Sequence, residues 1–217
     1  MIKRILLFVL LLSSLNFYAQ ERGRTGLASL TNNFKQLQSN ISSIEGSGHL
    51  TFKGIPIDGS PVEFMKSLGS KGFVVSSANS DEVILVGRFA NHDDAHLTVC
   101  SDGNLVYSVI VTFPAHENWS SMLDEYRLFK SSYETKYGVH PNSIERFPAH
   151  IPEGTGREHN AFREGSAIYR SSFGVAGGII TMAIAPAMDG KGKFCLKIEY
   201  KDERNASIHA SAFMNDL

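Results

Sequence analysis

The chain has 217 residues, 42% of them hydrophobic and 20% charged, with a formal net charge of −1. That length suits one large domain or two small ones. The near-neutral balance excludes the dense basic surface of non-specific nucleic-acid binding and leaves no polybasic patch for an anionic membrane.

Lys3 and Arg4 precede an apolar run from Ile5 to Leu12, followed by Ser13, Ser14 and a polar end at Tyr18-Ala19-Gln20. This pattern predicts a signal peptide over residues 1–19, cleaved after Ala19, and a periplasmic or extracellular destination. The run is shorter than the ~20 apolar residues that span a bilayer, and no later stretch reaches that length. It contains no cysteine for a lipid anchor. Residues 20–47, rich in Ser, Asn, Gln and Gly, predict a partly disordered linker. Leu27, Leu30, Phe34 and Leu37 give that linker a weak helical stripe.

From residue 48 the pattern becomes regular. Leu50 and Phe52 alternate with Thr51 and Lys53, as in a half-buried strand. Pro56 and Asp58-Gly59 end it, and Ser60, Pro61 and Glu63 supply a cap, a first helical residue and a capping-box partner. Phe64, Met65 and Leu68 form the apolar stripe of that helix. Strands are expected at 73–77, 82–90, 96–101 and 105–113, the last two joined by Asp102-Gly103. Trp119, Met122, Leu123, Tyr126, Phe129, Tyr133 and Tyr137 then recur at three- and four-residue spacing. They predict a helix capped by Asn118 and stopped by Gly138. Residues 139–164, with three prolines and two glycines, read as a long loop. Three more strands follow at 167–173, 178–185 and 194–201, and the tail from Asp202 reads as irregular or shortly helical.

The order implies an α+β two-layer sandwich, an antiparallel sheet with two amphipathic helices on one face and the other face open. It also implies a duplicated β-α-β-β-β unit, with pseudo-repeats at about 48–104 and 105–201. The F-K-G-I-P-I-D-G stretch, Gly72-Phe73, the F-P-x-x-x-x-W around Phe113 and Trp119, Lys136-Tyr137-Gly138 and the terminal Asn215-Asp216-Leu217 resemble a group of secreted Bacteroidetes proteins. That resemblance spans residues 48–217 and implies no activity. In plan the two units also resemble the β-lactamase-inhibitor-protein fold, in which an open sheet face binds a partner.

Candidate site residues fall into four groups. The open face is expected to present Arg88, Thr98, Tyr107, Lys197, Glu199 and Lys201, of which Arg88 and Tyr107 are of the types favoured at protein contacts. His92, Asp93, Asp94 and His96 have the donor types of a metal site, but polar residues are also what a turn between strands requires. His150, Glu153, Glu158 and His159 could assemble a general base or metal site in the long loop. Cys100 and Cys195 share one sheet face by alternation, so a disulfide is open to them if their Cα atoms come within about 7 Å. No nucleophile-elbow, zinc-protease or phosphate-loop motif is present, and no cofactor is called for. The expected function is therefore an exported, non-enzymatic module that recognises a protein or envelope component through the open face and the 139–164 loop. A metal-dependent hydrolase and a structural envelope component are the alternatives.

Overall fold

The computed structural model describes residues 48–78, 82–151, 153–187 and 192–215. The leader and the linker lie outside them. Ten strands and four helices follow in order: β1 (Thr51–Phe52), β2 (Ile55–Pro56), α1 (Pro61–Gly69), β3 (Val74–Ala78), β4 (Glu82–Phe89), β5 (His92–Asp102) and β6 (Leu105–Thr112). Then come α2 (Trp119–Tyr137), β7 (Asn142–Arg146), α3 (Glu158–Arg163), β8 (Ile168–Val175), β9 (Gly178–Pro186), β10 (Phe194–Asp202) and α4 (Glu203–Asn215). No helix among the described residues is long and apolar enough to cross a membrane.

Eight strands form one antiparallel sheet in the order β3-β4-β5-β6-β10-β9-β8-β7. Short hairpins build β3 to β6 outward-in. The chain then crosses along α2 to the far edge, and β7 to β10 return to the centre, where Ile198 stands opposite Val111. Alternation, interrupted by bulges at Val75/Ser77, Gly87/Phe89 and Cys100/Ser101, sorts the two faces. Leu85, Leu97, Val109, Val111, Ile198, Met182 and Phe173 are buried in one core cluster with Phe64 and Leu68 of α1 and the apolar stripe of α2. The intervening residues form the opposite face.

The helix signals act as their chemistry requires. Ser60 Oγ accepts from Glu63 N at 3.3 Å, with Pro61 at the first helical position. Asn118 Oδ1 accepts from Ser121 N at 2.8 Å, and Gly138 ends α2 in the left-handed conformation at φ 66°. Trp119, Met122, Leu123, Tyr126, Phe129 and Tyr133 are all buried, so the predicted stripe is the packed face. Burying each such side chain contributes roughly 1.5–3 kcal/mol.

Four expectations change. The Leu50–Lys53 strand does not join the main sheet; Thr51–Phe52 pairs only with Ile55–Pro56, because the chain reverses at Lys53-Gly54. The 139–164 segment is not a plain loop. It contains β7 on the sheet edge and α3, and Phe147, Ile151 and Phe162 pack against Trp119 or the core. The polar strand start at His92 carries β5 four residues further than apolar alternation alone indicates. Lastly, the tail forms α4, whose His209 ring stacks on Tyr107 at 4.4 Å. Tyr107 belongs to the face opposite α2, so α4 covers one end of the face expected to be open.

Asp202 ties these parts together. Its carboxylate is fully buried, accepts from Asn205 N at 2.9 Å as the cap of α4, and accepts from Leu50 N at 2.7 Å. His49 Nδ1 lies 3.2 Å from it. Gly177 adjoins the same knot at φ 82°, where a Cβ would lie 2.5 Å from Leu50 N. The β1–β2 hairpin is thereby fixed to the end of β10.

Candidate functional site: a cleft between two tight turns and helix α2

A cleft of about 870 Å³ opens on the helix-bearing side. That volume lies within the range of small-molecule sites. One flank is α2, through Asp124, Glu125, Leu128, Ser132 and Lys136. The other is made by Thr51 and Lys53 of the β1–β2 hairpin and by Ala90, Asn91 and His92 at the β4–β5 turn. Phe89, Phe129, Tyr133 and Tyr200 also line it, giving it an aromatic floor.

Both turns carry unusual backbone. Lys53 and Gly54 have φ of 51° and 79°, and Ala90 and Asn91 have 48° and 71°. Each pair joins directly opposed strand residues, Phe52 with Ile55 and Phe89 with His92, so each is a two-residue turn of the type that needs left-handed φ twice. Lys53, Ala90 and Asn91 are the non-glycine residues with positive φ among the described residues, and all three line this cleft. Left-handed backbone costs an ordinary residue roughly 1–2 kcal/mol, and such strain gathers at functional sites.

Lys53 joins the turns. Its Nζ donates to Arg88 O at 2.9 Å and lies 5.0 Å and 5.7 Å from the ring centres of Phe73 and Phe89. Burial, followed by Lys71 and Arg88, pulls its ammonium pKa below the usual lysine value. On the floor, Phe89 stacks on Phe52 at 5.3 Å, and Tyr133 and Tyr200 share a short hydrogen bond between their hydroxyls. Burial raises the pKa of both phenols, so both stay protonated well above neutrality.

At one end of the cleft Glu125 bridges two histidines. His92 Nε2 lies 2.8 Å from one carboxylate oxygen and His116 Nε2 lies 2.8 Å from the other. The Glu125 side chain is 9% exposed. An ionised carboxylate only accepts, so both Nε2 atoms carry hydrogen. The arrangement orients the imidazoles and closes that end of the cleft.

The sequence-derived candidates fare unevenly. His92 turns to Glu125, whereas His96 stands on the opposite sheet face beside Thr112, and Asp93 pairs with Arg88 at 3.3 Å in solvent. These residues therefore do not converge as a metal site with Asp94, and no group of three or more potential ligands is arranged for a metal among the described residues. In the 139–164 segment, Glu153 accepts from Trp119 Nε1 at 2.8 Å and from Tyr169 Oη at 3.1 Å, Glu158 accepts from Gly154 N at 2.5 Å, and His150 is exposed. Those carboxylates hold the segment in place. Thr98, Tyr107, Lys197, Glu199 and Lys201 do share the face opposite α2, with Glu199 accepting from Ser108 at 2.9 Å. Arg88 lies at the other end of the strands from Tyr107, at the bulge between Gly87 and Phe89.

The two thiols share that face and form no disulfide with each other. Cys100 aligns through Ser108 with Lys201, six residues along β10 from Cys195. That is about 20 Å at 3.3 Å per residue, beyond the reach of a disulfide. Burial pushes the Cys100 thiol up to about 11, with Glu199 and Glu82 adding to the shift.

Glu125 and His116 were not singled out from the sequence. The available signal was a carboxylate in the buried stripe of α2, three residues after Met122 and four before Phe129. Such a position calls for a partner, and nothing in the spacing named the two histidines.

No protein-family model matches the chain, and neither a curated protein nor a solved structure matches it. Fold and cleft together define the class: an α+β protein built on one antiparallel sheet, with a preformed aromatic cleft beside its longest described helix.

Proposed function

We propose that the protein is an exported, non-enzymatic binding module that holds an apolar component of the cell envelope in the cleft beside α2. The observation that carries this reading is the coincidence of an aromatic floor with two left-handed turns on one rim, in which Lys53 and Ala90 hold a backbone that ordinary residues rarely adopt. A ligand site is where such strain persists. Export is supported by the leader, with Lys3 and Arg4 ahead of the Ile5–Leu12 run. A duplicated unit belongs to the same reading, in the form α-β-β-β-β rather than the expected β-α-β-β-β, because β1 and β2 lie outside the main sheet and α1 precedes β3–β6 as α2 precedes β7–β10.

Ser132 is exposed on α2 and lines the cleft, so Ser132→Trp fills the space without touching the core. The fluorescent apolar dye anilinonaphthalene sulfonate should bind the full chain at one site and lose that site in the variant. Equal binding to both proteins contradicts the reading.

A second reading places a protein partner on the face opposite α2. It is favoured by the shared orientation of Thr98, Tyr107, Lys197 and Glu199 and by the half-buried Ile84, Val86 and Ile110 among them. Charge reversal at Arg88 and Lys197 should then reduce partner recovery from envelope extract and leave dye binding intact. Unchanged recovery removes it.

A further inference from the structure

The polar groups left over in the cleft point to one chemical class of ligand, and this deepens the binding reading above. We infer that the cleft takes an apolar chain or ring bearing a single carboxylate, its body over the aromatic floor and its head at a lysine of the lining, Lys53 or Lys136.

Each charged group facing the cleft sorts by what it already satisfies. Glu125 accepts from two histidines and is nearly closed off from solvent, so little of its charge is available to a ligand. Asp124 is exposed at the same end. Lys136 lies twelve residues further along α2, about 18 Å at 1.5 Å per residue. Neither Lys53 nor Lys136 has a carboxylate within salt-bridge distance among the described residues. Lys53 spends one ammonium hydrogen on Arg88 O and retains two. Lys136 lies 4.8 Å from the centre of the Tyr137 ring, a cation–π contact that leaves ammonium hydrogens for an acceptor on its other side.

What remains around the floor is thus rich in donors and positive charge. A carboxylate is acceptor-only and anionic, and it matches both. A cationic head is repelled by the two lysines, and a neutral hydroxyl accepts from an ammonium without the ion-pair attraction a carboxylate adds.

Calorimetric titration of the full chain with dodecanoate, dodecanol and dodecyltrimethylammonium, each below its micelle concentration, tests this directly. Dodecanoate should bind about tenfold tighter than dodecanol, the gain expected of one charge-assisted contact, with the ammonium weakest. In the Lys53→Met, Lys136→Met double variant that preference should fall to about twofold or less. Lys136→Met alone, at an exposed helix position, should remove part of it if Lys53→Met impairs folding. Equal binding of dodecanoate and dodecanol, with dodecanol lost in Ser132→Trp, overturns the head-group inference and leaves the cleft reading standing. Failure of all three to bind overturns both.

Discussion

Glu125 illustrates how a single carboxylate can shape a site. It leaves the apolar stripe of α2 at the point where His92 and His116 arrive from the sheet, and each imidazole donates to one of its oxygens. Replacement by Ala leaves two part-buried N–H donors without an acceptor, a loss of about 2 kcal/mol. Glu125→Gln retains one acceptor and should cost about 1 kcal/mol, because one imidazole can shift its proton to Nδ1 and accept from the amide. Urea unfolding of the two variants should reproduce that order; midpoints equal to that of the unsubstituted protein would show that the bridge contributes nothing. At this scale the sequence was only partly readable. His92 stood out for its charged neighbours, yet its partner lies 33 residues away on a helix whose other signals were all apolar. Cys100 and Cys195 show the same gap: alternation placed both on one face, and only the pairing register separated them along the strands.

Elements bound by local chemistry were plain in the sequence. Both α1 and α2 begin at side-chain caps and bury the stripes their spacing dictates. Those that depend on distant contacts were not. The 139–164 segment reads as a loop because prolines and glycines punctuate it, yet β7 forms by pairing with β8, and the rest closes over Trp119 through Phe147, Phe162 and Glu153. Likewise α4 has a weak stripe and no cap visible as such, since its cap, Asp202, is also the last residue of β10. Asp202 is the point at which the cleft wall meets the fold. Asp202→Ala removes a helix cap and leaves Leu50 N–H buried without an acceptor, for a combined loss of about 3 kcal/mol. Hydrogen exchange at the Leu50 amide should accelerate in the variant under native conditions. An unchanged rate would mean that the β1–β2 hairpin is held by something other than this carboxylate.

For the whole molecule, an α+β fold with a large antiparallel sheet followed from periodicity, whereas the strand order and the packing of α4 on the far face did not. The central meeting of β6 and β10 is made by a crossover along α2, and short-range patterns do not encode where a crossover lands. One consequence of the shared core is a defined alkaline limit. Burial raises the phenol pKa values of Tyr126, Tyr133 and Tyr200, and burial followed by Glu153 raises Tyr169 to about 12. In the unfolded chain these phenols ionise near 10.0, so above that pH the unfolded state binds fewer protons than the folded one. Their contribution is complete below pH 10 and is lost as the pH climbs towards the raised values. Thermal midpoints should therefore fall steadily above pH 10, and Tyr133→Phe should flatten part of the slope; an identical slope in that variant would remove the phenol pair as a cause.

The account turns on the cleft being the place where this protein meets its ligand. Chemical-shift mapping of dodecanoate and, in parallel, dodecanol onto the isotope-labelled full chain measures that most directly. The perturbed amides should gather at Thr51, Ala90, Asn91, Leu128 and Ser132. A response centred on Thr98, Lys197 and Glu199 across the sheet, or none with either amphiphile, would contradict it.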